Sequence, residues 1–191
     1  MKSTIFTLFL MLAISMQAQD QEDYYYQIPE APKEYTPGNV VGRMVDGLGF
    51  RYYWATYKLT TKDLSYKPSK EARTSEETID HILSLSQVIL NSALKVASGT
   101  PQPKMTYEEK RKKTLENLKK ASAIFKKSKD LSEFKIIFKR GDKTTEYPFW
   151  NQINGPISDA LWHVGQVVTF RRASGNPFPK GVSVLRGVKR D

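Results

Sequence analysis

The sequence predicts an all-α fold, a four-helix bundle with a short hairpin or loop before its last core helix. Three observations predict it. Apolar residues recur at three- and four-residue steps in four separate stretches of about 17 to 24 residues. Two of these stretches open on capping boxes, and the last closes on basic residues followed by glycine. No region carries the regular strand-and-turn pattern of an all-β chain. With 191 residues, 39% of them hydrophobic, the chain is long enough for one domain with a real core.

The elements follow in order. Residues 1–18 read as a secretory signal peptide: Lys2, an apolar run from Ile5 to Ile14, then a small-residue ending at Ala18. That run is too short for a comfortable permanent anchor, and nothing later reads as a transmembrane segment. The expectation is an exported mature chain, periplasmic or extracellular. Residues 19–39 read as an extended lead-in, because Pro29, Pro32 and Pro37 bar a long helix. Residues 40–191 form a single domain. Its first helix runs from about Val40 to Tyr57, with Val41, Met44, Val45, Leu48, Tyr52 and Ala55 on one face; Gly42, Gly47 and Gly49 weaken it locally and suit close helix contact. Thr74 and Glu77 make a capping box that opens the second helix, which lasts to about Ala97. Thr106 and Glu109 open the third, to about Ser128. The stretches Phe134–Phe138 and Thr144–Phe149 flank Gly141 and Asp142, either as a β-hairpin or as an extended loop. The last helix starts at Gly155-Pro156, carries Arg171 and Arg172 in its final turn and stops at Gly175.

The chain carries 30 Lys and Arg against 20 Asp and Glu, a net charge of +10, which becomes +9 once Lys2 is lost. Much of the excess lies on the third helix at Lys112, Lys113, Lys119, Lys120, Lys126 and Lys127, pairs that repeat as one stripe. The two readings are a surface for anionic partners and a solvated face. The pairs are all Lys with no aromatic residue between them for bases to stack on, so the solvated face is preferred and no nucleic-acid partner is expected. The chain contains no cysteine, so no protein thiol serves as a nucleophile or ligand. Neither a serine triad signature nor a Gly-rich phosphate loop is present.

There are only two histidines. His163 lies four residues after Asp159, so both share one helix face, and Gln166 follows along the same ridge. Ala160, Val164 and Val167 put that ridge at the edge of the core. His81 stands beside Ile79 and Ile82 on the second helix. If those helices are neighbours, His81, Asp159 and His163 converge. Two imidazoles and a carboxylate with open positions suit Zn²⁺, Ni²⁺, Fe²⁺ or Mn²⁺. The competing reading is an ordinary helix-surface pair and a hydrogen-bonded core histidine. Trp150, Asn151, Asn154, Trp162, Tyr52 and Tyr53 are candidates to line a pocket; their alternative role is packing.

Between about Asn39 and Arg172 the chain resembles the DinB-like superfamily, four-helix proteins that include YfiT-like metal-dependent hydrolases and thiol-dependent transferases and isomerases. The segment TSEETIDHILSLS carries His81 at the position of that family's first ligand. The segment DALWHVGQ matches the family run H-x-x-H-H-R-G-Q at His163, Gly165 and Gln166. Asp159 stands where the family has its leading His, Trp162 replaces an adjacent His, and Val164 replaces the Arg. The resemblance implies a divalent metal held by two His and one carboxylate, and a hydrolase or transferase acting on a small molecule. The alternative it leaves open is a non-catalytic binding or structural bundle whose metal site has decayed. DinB-like proteins often pair, and the sequence permits a homodimer without requiring it.

Overall fold

Helix α1 (Pro37–Ala55) begins three residues before its apolar periodicity does. Thr36 caps it, its hydroxyl accepting from the Asn39 amide at 3.2 Å. Pro37 occupies the first turn, where a missing N–H costs nothing. The proline assigned to the lead-in therefore starts the helix. This is a computed structural model, and it describes residues 24–100 and 103–190; the signal-peptide expectation falls outside them.

Beyond α1, a short helix α2 (Thr61–Ser65) opens on a capping box of Thr60 and Asp63. Helices α3 (Ser75–Ala93) and α4 (Tyr107–Phe125) open on the two boxes expected from Thr74 and Thr106. Each amide-to-carboxylate bond of those two boxes spans 2.7 Å. Helix α3 ends before its apolar pattern does, whereas α4 ends on its last apolar residue, Phe125. After α3 the backbone turns left-handed at Lys95 (φ 59°), and Ser98 then bridges to Phe138, so the chain leaves the helix to run beside a strand. Strands β1 (Ile136–Arg140) and β2 (Lys143–Tyr147) pair antiparallel, Ile136 opposite Tyr147 and Arg140 opposite Lys143. Of the two readings for this region, the hairpin is the one observed.

The last helix begins earlier than Gly155-Pro156. A one-turn helix α5 (Trp150–Gln152) runs through a π turn (Ile153–Ile157) into α6 (Ser158–Ser174). Pro156 lies inside that π turn rather than at a helix start. The wider turn shifts the hydrogen-bond ladder by one residue, which accommodates a proline ring without a break. At the other end Gly175 is left-handed (φ 100°). Asn176 N–H bonds Arg171 C=O at 2.8 Å and Gly175 N–H bonds Arg172 C=O at 3.3 Å, a Schellman stop. A second small antiparallel pair, β3 (Val182–Ser183) with β4 (Val188–Lys189), follows.

Side-chain contacts fix how the long helices run. Lys110 reaches Glu76 and Asp80, while Asn117 reaches Ser86, so α3 and α4 are parallel. Arg111 reaches Tyr53 and Ser122 reaches Gly42, so α1 opposes α4. Phe170 meets Tyr66, just before α3, while His163 meets His81, so α6 opposes α3. A Cβ at Gly42 would lie 2.5 Å from Lys126 Cγ, and one at Gly49 would lie 2.5 Å from the Tyr25 ring. Close approach explains both glycines. No helix among the described residues is long and apolar enough to cross a membrane.

The lysine stripe departs from the solvated reading. Lys112, Lys120 and Lys127 are exposed, but Lys126 pairs with Asp46, which is completely buried in α1. Tyr25 donates to the same carboxylate at 3.2 Å. Lys119 sits over the Tyr24 ring at 4.2 Å. Two of the six lysines thus clamp α4 to α1 and to the segment before it, and their partners come from distant sequence.

Candidate metal centre

Two helices supply the site. Asp159 falls in the first turn of α6, just past the π turn. His163 stands one turn later on the same face. Ala160, Val164 and Val167, on the adjoining face, are all buried and hold this side of α6 against the core. His81 lies across from them on α3, set by Ile79 and Ile82, which are fully buried.

The three expected ligands do converge. His81 Nε2 lies 3.2 Å from Asp159 Oδ2, and His163 Nε2 lies 3.2 Å from Asp159 Oδ1. One ligand atom from each residue falls within 4.8 Å of the others. The imidazole rings meet edge to face at 4.6 Å. An ion about 2.1 Å from each ligand needs neighbouring ligand atoms about 3.0 to 3.4 Å apart, for octahedral or tetrahedral geometry. The two histidine–carboxylate separations lie in that interval, each to a different carboxylate oxygen, and the three residues could hold a divalent ion. Side-chain exposures of 31% for His81 and 34% for Asp159 leave one side of the cluster open to solvent, whereas His163 is 13% exposed.

Gln166 sets the chemistry of His163. Its Oε1 lies 3.0 Å from His163 Nδ1, and with the amide turned this way Nδ1 is the nitrogen that donates. The lone pair is then on Nε2, which faces a carboxylate oxygen. Two lone pairs facing one another repel unless a metal ion or a proton sits between them. Outer groups commonly orient a ligating imidazole in this way. Asp80, adjacent to His81 in sequence, is turned the other way by its 2.7 Å pair with Lys110 and adds no charge to the cluster.

The remaining candidates divide. Trp162 stacks on His163 (ring centroids 6.4 Å apart, planes at 16°) while 72% of it stays exposed. Trp150, Asn151 and Asn154 are exposed on α5 and the π turn, and no hydrogen bond links them to the cluster among the described residues. Tyr52 and Tyr53 are core residues. Burial drives the Tyr52 hydroxyl far above its ordinary range, and Tyr53 packs against Trp54 and Tyr57. Neither tyrosine offers a face to a ligand at the surface cluster. The π turn two residues before Asp159 is a feature the sequence reading missed, because Asn154-Gly155-Pro156 reads as a helix start rather than as the inside of one.

Compared with known proteins, the chain matches no family model, no curated protein and no solved structure.

Proposed function

We propose that the chain is a DinB-like helical bundle whose His81, Asp159 and His163 bind one divalent transition ion, Zn²⁺, Ni²⁺, Fe²⁺ or Mn²⁺, at a metal-dependent hydrolase or transferase centre. The observation that carries the reading is the approach of two imidazoles from different helices to the two oxygens of one carboxylate, at 3.2 Å each. When bound, such an ion supplies Lewis acidity to a carbonyl or to water. The chain's own groups have separable parts. Asp159 brings the negative charge that two neutral imidazoles lack. Gln166 keeps the Nε2 lone pair of His163 aimed at the site. Trp162 presents an exposed aromatic face beside it, suited to the apolar part of a small-molecule substrate. Hydrolysis is favoured over thiol transfer, because reduced low-molecular-weight thiols are scarce outside the cytoplasm. Export through residues 1–18 belongs to the same reading, and the mature chain should begin at Gln19.

The test is elemental analysis of the purified chain and titration calorimetry with Zn²⁺, Ni²⁺ and Mn²⁺. One ion per chain is expected, lost in the His81→Ala, His163→Ala double variant. No binding tighter than millimolar, or binding indifferent to that variant, rejects the proposal. A second reading has one observation in its favour. Turning the Gln166 amide so that its nitrogen donates to Nδ1 places the His163 hydrogen on Nε2, where it bonds Asp159, and the four side chains then satisfy one another without an ion. That arrangement is a non-catalytic bundle with a polar staple, and a metal-free chain of undiminished stability identifies it.

A further inference from the structure

A groove of about 550 Å³ lies between α3, α4, β1 and the residues that follow α3. Lys113 of α4 and Arg140 of β1 line it, and no Asp or Glu does. Neither cation has an ion-pair or hydrogen-bond partner among the described residues. Unpaired cations facing a carboxylate-free wall leave local positive charge uncompensated.

The wall between them adds direction. Asn117 Nδ2 donates to Gln87 Oε1 at 3.3 Å, Gln87 Nε2 donates to Asn91 Oδ1 at 2.8 Å, and Asn91 Nδ2 donates to Ser98 Oγ at 2.9 Å. Each side-chain oxygen in this relay already accepts one hydrogen. The relay also leaves two hydrogens for a ligand: the second N–H of Gln87 and the hydroxyl hydrogen of Ser98. Ser98 is buried and fixed by backbone bonds to Ile137 (2.7 Å) and Lys139 (2.9 Å), so its hydroxyl is positioned before any ligand arrives. Ser84 is the exception at the rim, since it gives its hydrogen to Asp80 C=O and offers only lone pairs. Val88 and Phe138 supply apolar surface.

We propose that this groove binds a small organic anion, a phosphate ester or a carboxylate, whose apolar part lies against Val88 and Phe138. Two free cations and a row of oriented donors recognise an oxyanion and disfavour a cation or a neutral acceptor-poor ligand. The site is separate from the metal cluster and does not rest on it.

The test is calorimetry on the full chain after chelation, with phenyl phosphate and benzoate as probes that separate the two anion types. Saturable binding of at least one probe is expected, with a Kd below about 1 mM and clear weakening at high salt. The Lys113→Gln, Arg140→Gln double variant, confirmed folded by circular dichroism, should weaken it at least about tenfold. Ser98→Ala should weaken it without changing any charge. His163→Ala, which abolishes metal binding in the reading above, should leave probe affinity within about twofold. Absence of saturable binding by both probes overturns the proposal. So does binding that is indifferent to Lys113 and Arg140, or that disappears with His163.

Discussion

Lys126→Met tests whether the lysine stripe is structural. Asp46 is completely buried, and its charge is met by Lys126 from α4 and by the Tyr25 hydroxyl at 3.2 Å. Removing the ammonium leaves an ion in the core with one neutral donor. Breaking a buried pair by removing one partner costs about 3–5 kcal/mol. Here the Lys126 side chain is 22% exposed and water can replace part of its charge, so about 2–4 kcal/mol is expected. Lys112→Met, on the exposed side of the same helix, should change stability by less than about 0.5 kcal/mol. Urea unfolding followed by circular dichroism measures both. Asp46→Asn combined with Lys126→Met should cost less than the sum of the single changes, because no lone charge remains in the core. A Lys126→Met loss under about 1 kcal/mol, or strict additivity in the double variant, refutes the reasoning.

Three further outcomes follow from the structure. Asp159→Asn keeps the size but loses the anionic donor, so metal affinity measured by calorimetry should fall about ten- to a thousandfold, whereas Asp159→His should keep an ion bound. Burial alone would raise the Asp63 carboxyl, but hydrogen bonds from Asn176, Ser174 and Thr60 outweigh it and hold the group at about 2, against an ordinary 3.8. The unfolded chain therefore takes up this proton first: the contribution is full above the ordinary value and is lost as pH falls toward 2, so between pH 5 and about 2 the unfolding midpoint should drop more in the unaltered chain than in Asp63→Asn. Gln152 is fully buried with neither amide atom hydrogen-bonded among the described residues, so Gln152→Leu should raise the stability by about 1–3 kcal/mol, and a destabilised variant would mean the amide has a partner.

Local chemistry explains why the helix starts were legible. A capping box is a four-residue event whose donors and acceptors are all in the sequence, and the boxes at Thr74 and Thr106 formed as read. Thr60 and Asp63 have the same logic, with Asp in place of Glu, and were passed over because no long apolar run follows them. Helix ends were less legible. What stops α3 is a left-handed Lys95 and the pairing of Ser98 with a strand forty residues later, and neither is written nearby. The stripe failed for the same reason. Lys119 and Lys126 find their partners in Tyr24 and Asp46, and the distance along the chain hides both.

The cluster shows where reading ends and folding begins. The i, i+4 spacing of Asp159 and His163 follows from helix geometry alone, and the apolar neighbours of both histidines pointed them toward the core edge. Their meeting depends on something the spacing does not contain: α3 and α6 must be neighbours, in a register that sets the second turn of one against the first two turns of the other. End-aligned antiparallel helices would place His81 against the last turns of α6, so the register between them matters as much as the direction. The direction is fixed by contacts elsewhere, Phe170 against Tyr66 and the buried Arg171 donating to the Trp54 and Ala55 carbonyls at 2.9 and 3.0 Å. Those contacts draw on residues with no part in the cluster, yet they decide whether its three ligands face one another.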